Sequence, residues 1–92
     1  MKIIIVGDGK IGFALTKRLA MDGHDIVVID RNAHVLEESQ QAADIMTVQG
    51  SGASMDVLKE AGIQNADLLI AATSSDEINI LCCMMASKIS DV

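Results

Sequence analysis

The chain opens on four consecutive β-branched residues, Ile3-Ile4-Ile5-Val6, closed at once by Gly7. A short apolar run ended by glycine reads as a strand buried on both faces, as parallel strands under helices are. The signature returns at Ile26 to Ile29, at Ile45, Met46 and Val48, and at Leu68 to Ala72. Between these runs the period becomes helical. From Lys10 to Met21 the apolar residues fall at Ile11, Ala14, Leu15, Leu19 and Ala20, with Lys17 and Arg18 off the stripe and Gly23 placed to close the helix. Asn32 can cap a second helix with a sparse apolar side, Val35, Leu36 and Ala43. A third helix runs from Ser54 to Ala61, carries Val57 and Leu58, and stops at Gly62. Thr73-Ser74-Ser75-Asp76 then supplies turn and capping residues for a last helix from Glu77 to Ile89. Strands separated by single helices must run parallel, joined by right-handed crossovers. With 92 residues there is room for one domain, 1–92, and no linker, repeat or low-complexity stretch divides it.

The first strand-to-helix turn carries chemistry. Gly7-Asp8-Gly9-Lys10-Ile11-Gly12 is a G-x-G-x-x-G motif in the one context where its mechanism works. Gly7 permits the tight turn, Gly9 lets the backbone approach a pyrophosphate, and Gly12 lets helix and strand pack closely. The helix N-terminus offers free N–H groups and partial positive charge to the anion. A Walker A reading of Gly9-Lys10 fails, because Ile4 and Ile11 stand where that motif needs Gly and Ser or Thr. Asp30 ends the second strand where the dinucleotide fingerprint asks for an acid to accept from the ribose 2′-OH, which favours NAD(H) over NADP(H). Arg31 leaves two options open: it can accept a 2′-phosphate, or lie over an adenine face. In an open α/β sheet the ligand sits beyond the carboxyl ends of the strands. Gly50-Ser51 and Thr73-Ser74 occupy two more such ends, with turn and N-cap duty the competing role for Ser74 and Ser75.

The fold expected is therefore α/β: a Rossmann-like doubly wound parallel sheet, four strands in the order 3-2-1-4 with helices on both faces. Its second half reads as truncated, since the complete fold has roughly six strands in two halves. The last helix carries Ile78, Ile80, Leu81, Cys82, Cys83, Met84, Met85, Ala86 and Ile89, nearly around its circumference. A monomer would expose Leu81, Met84 and Met85, so self-association through helix 77–89 is expected.

Composition narrows what such a sheet can serve. Seven Lys plus Arg against thirteen Asp plus Glu give a net charge of −6, the wrong sign for nucleic acid or an anionic membrane surface. Phe13 is the only aromatic residue, too few for a platform that stacks single-stranded bases. Cys82 and Cys83 are adjacent, with no C-x-x-C pair, so neither a disulfide scaffold nor a zinc site is indicated and a reducing, cytosolic compartment is. They read as small packing residues, and His24 and His34 as isolated surface residues. No apolar run suits a signal peptide or approaches the ~20 residues of a membrane span. There is no Tyr, hence no Tyr–Lys pair of the short-chain dehydrogenase kind.

Three stretches together resemble a known family: Lys2 to Gly12, then Val28-Ile29-Asp30, then Val48-Gln49-Gly50-Ser51-Gly52. They look like the N-terminal nucleotide-binding domain of TrkA-type potassium-uptake proteins, also called the RCK or KTN domain. Val57 to Gly62 and Asn65 to Asn79 strengthen the likeness, which runs through essentially the whole chain. The resemblance implies a cytoplasmic protein, peripheral at the inner face of the membrane, docked on a Trk- or Ktr-type potassium transporter. It implies that NAD(H), or in some members ATP or ADP, binds and gates ion flux. It makes Gly7 to Ile11, Asp30 and Thr73-Ser74 the ligand contacts, with Ser51 a weaker one. The chain departs from the family by stopping after its fourth helix. The expected role is a regulatory module and not an enzyme. The rivals are the NAD-binding domain of a dehydrogenase and a ligand-free dimerisation module.

Overall fold

A computed structural model describes all 92 residues. Its elements are β1 (Lys2–Val6), α1 (Lys10–Met21), β2 (Asp25–Asp30), α2 (Ala33–Ala42), β3 (Met46–Gln49), α3 (Met55–Glu60), a 3₁₀ turn (Ile63–Asn65), β4 (Leu68–Ala71) and α4 (Asp76–Ile89). The four strands form one parallel sheet in the order β3-β2-β1-β4. Ile5 stands between Val28 on one side and Ile70 on the other. The sheet is thus Rossmann-like, with the strand order the sequence predicts.

Alternation along β1 divides the core in two. Ile4 and Val6, with Val27, Ile29 and Val48, pack under Leu58 of α3 and Cys82 and Ala86 of α4. Ile3 and Ile5, with Ile26 and Val28, pack under Leu36 of α2 and Leu15 and Leu19 of α1. Two helices therefore cover each face. This is why Ile3 to Val6 and Ile26 to Ile29 read as unbroken apolar runs: none of these positions faces water.

Two expectations need correction, and one element was not anticipated. Ile11 and Ala14 do not join the core; Ile11 is 69% exposed, and Gly12 and Thr16 are the buried residues of α1. The buried stripe runs through Gly12, because only a residue without a side chain can lie against β1 at that height. On α4, Met85 packs against the core, whereas Leu81 and Met84 stay exposed, joined by Ile80. The 3₁₀ turn after α3 had no signal beyond Gly62, yet its Ile63 is fully buried. No helix is long and apolar enough to cross a membrane.

Candidate functional site

Parallel pairing brings all four strand ends to one side. The ladder continues just past the strands: the Gly7 N–H donates to Ile29 O at 2.8 Å, Gly50 N–H to Asp30 O at 2.9 Å, and Ala72 N–H to Val6 O at 2.8 Å. Beyond these bonds the loops splay apart and enclose a cleft of about 340 Å³. Gly7 and Gly9 border it from the first loop, Asp30 and Arg31 from the second. Gly50, Ser51 and Gly52 close it below β3, and Ala72 to Ser75 with Ile78 below β4.

The glycines act as the motif requires. Gly7 has φ +103°, and a Cβ there would stand 2.8 Å from the Ala72 carbonyl oxygen. A Cβ on Gly12 would overlap the Gly7 carbonyl oxygen. Around a Cβ on Gly9 nothing lies within 4 Å, so the space beside this glycine is open. Gly9 is also the N-cap of α1 and has no side chain to offer its first turn. The other three α-helices are capped by their own residues: Asn32 accepts from the His34 N–H, Ser54 from the Val57 N–H and Ser75 from the Ile78 N–H. The uncapped first turn of α1 thus retains its donors and its positive end beside the cleft.

Asp30 lies where the fingerprint places it, and part of its work is internal. Oδ2 accepts from the Asp8 N–H and Oδ1 from the Asn32 N–H, each at 2.8 Å. The carboxylate thereby ties the glycine loop to the β2–α2 loop, and each oxygen keeps a lone pair for a ligand hydroxyl. Arg31 is exposed at the rim, and its guanidinium forms no ion pair within the chain. Ser51 Oγ accepts from the Ala53 N–H at 3.1 Å.

Not every predicted contact lines the cleft. Asp8 and Lys10 border a separate pocket, with Glu38 and Ser39 of α2. Asp8 is 4% exposed; its Oδ2 accepts from the Ser39 hydroxyl, and its Oδ1 has no partner. Burial pushes its carboxyl above the usual carboxylate range; the Ser39 bond opposes the shift, and the charges of Asp30 and Glu38 add to it. The Ile11 side chain points to solvent, and Gly12 is a packing residue. For Ile11 and Gly12, what is left to offer a ligand is the backbone N–H; Lys10 has that group and an exposed ammonium that forms no ion pair within the chain.

Sequence reasoning missed Gly52, Ile78 and Asn79. Gly52 lies under Val6, and Asn79 fixes the Thr73 loop through three hydrogen bonds. An amide among the apolar residues of α4 was the available signal. Cys82 behaves as a packing residue: burial first, and Cys83 second, push its thiol up to about 11, so it stays protonated at neutral pH, whereas Cys83, expected to pack as well, is exposed.

The TrkA-N domain model matches residues 3–92. A Trk system potassium uptake protein TrkA from Halomonas elongata is 45% identical over 86 residues, covering 94% of this chain and 19% of that protein. A TrkA homolog from Methanothermobacter thermautotrophicus is 34% identical over 90 residues, 98% of this chain and 42% of that protein. The chain thus spans about a fifth of the bacterial relative (19%) and under half of the archaeal one (42%). Among solved structures, the Shewanella denitrificans Kef CTD in its AMP-bound form superposes with a TM-score of 0.82 at 25% identity, over 96% of this chain and 52% of that one. The glycine loop, the strand order and a family match over nearly every residue agree: the chain belongs to the TrkA-N family.

Proposed function

We propose that residues 1–92 form one nucleotide-binding regulatory domain for potassium transport. The observation that carries this reading is the cleft itself. An uncapped helix N-terminus, an open space beside Gly9 and the Asp30 carboxylate converge on one cavity at the strand ends. That combination suits an adenine nucleotide: phosphates at the first turn of α1, ribose hydroxyls at Asp30. NAD(H) is the first candidate and ATP or ADP the alternative. The AMP in the Kef relative supports the adenosine half they share. The contacts are Gly7, Gly9, Asp30, Arg31, Ser51 and the Thr73–Ser74 lip, with the N–H groups of Lys10, Ile11 and Gly12. Asp8 acts from behind the loop.

The names of the relatives support a partner in Trk-type potassium uptake. That partner, on this reading, is a membrane transporter of the Trk or Ktr type, reached from the cytoplasmic face. Ligand binding would then bias the transporter by its differential affinity for two conformations. Self-association through α4 is supported by the open stripe of Ile80, Leu81 and Met84. The dehydrogenase alternative has no observation in its favour.

Calorimetric titration with NAD⁺, NADH, ATP, ADP and AMP tests the reading. Saturable binding of at least one, and weaker binding of adenosine titrated as a phosphate-free control, is the expected result. A folded chain that binds none of them overturns it.

A further inference from the structure

The lip between β4 and α4 is held by one amide. Asn79 Oδ1 accepts the Thr73 N–H at 3.0 Å and the Thr73 hydroxyl at 2.7 Å, while its Nδ2 donates to the Thr73 carbonyl at 3.2 Å. The Thr73 hydroxyl oxygen in turn accepts from the Ser75 N–H at 3.2 Å. Ser75 is committed as well: its Oγ accepts from the Ile78 N–H at 3.3 Å and donates to Glu77 at 3.1 Å. Thr73 and Ser75 thus use their polar side-chain groups inside the chain. Ser74, between them, is exposed at the mouth of the cleft and forms no hydrogen bond with the rest of the chain.

We propose that Asn79 is a positioning residue for the nucleotide site, holding Thr73 and Ser75 so that Ser74 is the residue of this lip that hydrogen-bonds the ligand. Thr73, a predicted contact, then acts through Asn79. Charge selects the part of the ligand that Ser74 meets. The first turn of α4 carries Asp76 and Glu77, whereas the first turn of α1 carries no acid. Phosphate is therefore directed to α1, and Ser74 is left a neutral hydroxyl or amide of the ligand. The inference rests on the nucleotide reading above and adds to it the residues that shape its second wall.

A double-mutant cycle on NADH affinity, with ATP titrated in parallel, tests it. Ser74→Ala and Asn79→Leu are each expected to weaken binding by about tenfold, the scale of one well-placed hydrogen bond. In the Asn79→Leu background, Ser74→Ala should cost nothing more. Thr73→Val, which removes the hydroxyl and keeps the two backbone bonds to Asn79, should weaken binding in the same direction by a smaller factor, and Thr73→Ser, which restores the hydroxyl, should bind as the wild type does. Thermal melts of each variant confirm that the folded protein is being titrated, and Thr73→Val keeps the test open should Asn79→Leu fail to fold. An equal Ser74→Ala effect in both backgrounds would overturn the proposal, as would unchanged affinity in Thr73→Val. A wild-type chain that binds neither NADH nor ATP removes the nucleotide reading as well, and the two failures are thereby told apart.

Discussion

β1 and β4 lie side by side and parallel in the sheet, both apolar runs, and differ in how far they are buried. Ile3 to Val6 are almost completely buried; on β4, Leu68 is 41% exposed and the residues after it are half-buried. β1 has a hydrogen-bonded neighbour on both edges, β4 on one. The helices follow suit. α1 and α2 place Leu15, Leu19 and Leu36 on the core and leave Ile11 and Met21 in water, whereas α4 inserts Cys82 and Ala86, lays Met85 and Ile89 beside them and turns Ile80, Leu81 and Met84 outward. The lesson is that an apolar run determines an element's type, and its place in the sheet determines how much of it is used. The centre supplies stability, and the β4–α4 margin holds one wall of the cleft and an open apolar stripe.

The largest effect expected from this contrast is on stability. Ile5→Ala removes a fully buried side chain and should cost ~2–5 kcal/mol in urea unfolding. Leu68→Ala at the margin should cost about 1 kcal/mol, because much of that side chain is already in water. Equal losses would erase the distinction between the two regions.

Asp30 belongs to the centre by its strand and to the cleft by its carboxylate. Asp30→Ala should weaken NADH by ~1.5–3 kcal/mol, the scale of hydrogen bonds to a charged group. It should also narrow the gap to NADPH, since the carboxylate that repels a 2′-phosphate is gone. A wild type that binds both equally well would remove that role.

At the margin, replacing Leu81 and Met84 together by Lys should leave folding stability within about 0.5 kcal/mol. The same change should shift sedimentation toward monomers if the stripe is a contact. A wild type that is monomeric at high concentration would end the self-association proposal and leave the fold untouched.

The smallest effect concerns Asp8. Burial raises its carboxyl above the usual 3.8, so its neutral form is the one the fold favours. For a raised acid the stabilising contribution is complete below the unfolded value and is lost as pH rises through the folded one. Asp8→Asn, which cannot ionise, should therefore gain in melting temperature relative to wild type from about pH 4 upward. Parallel melting curves across that range would show that Asp8 carries no such strain.

Much of this was legible in the residues. Four apolar runs, each closed by turn residues, specified the strands, and one glycine pattern specified the loop at which three further strand ends gather. Other features were not legible, for definite reasons. A helical period shows which residues share a stripe, but Ile11 and Gly12 lie on adjacent stripes and only packing against β1 selects between them. Asp8 sits inside the motif, yet its side chain leaves the cleft because the strand end turns it toward Ser39 on α2. Asn79 binds a loop six residues behind it, a contact that exists only once β4 and α4 are placed.

The central claim is that the open space beside Gly9 is where a nucleotide phosphate meets the backbone. Gly9→Val fills that space, and a Cβ there touches nothing else in the protein. Affinity and stability measured on this one variant test the claim most directly. The account predicts that nucleotide binding is lost while unfolding free energy changes by no more than about 1 kcal/mol, the scale of an N-cap substitution. Binding that survives unchanged in a folded Gly9→Val chain would contradict it.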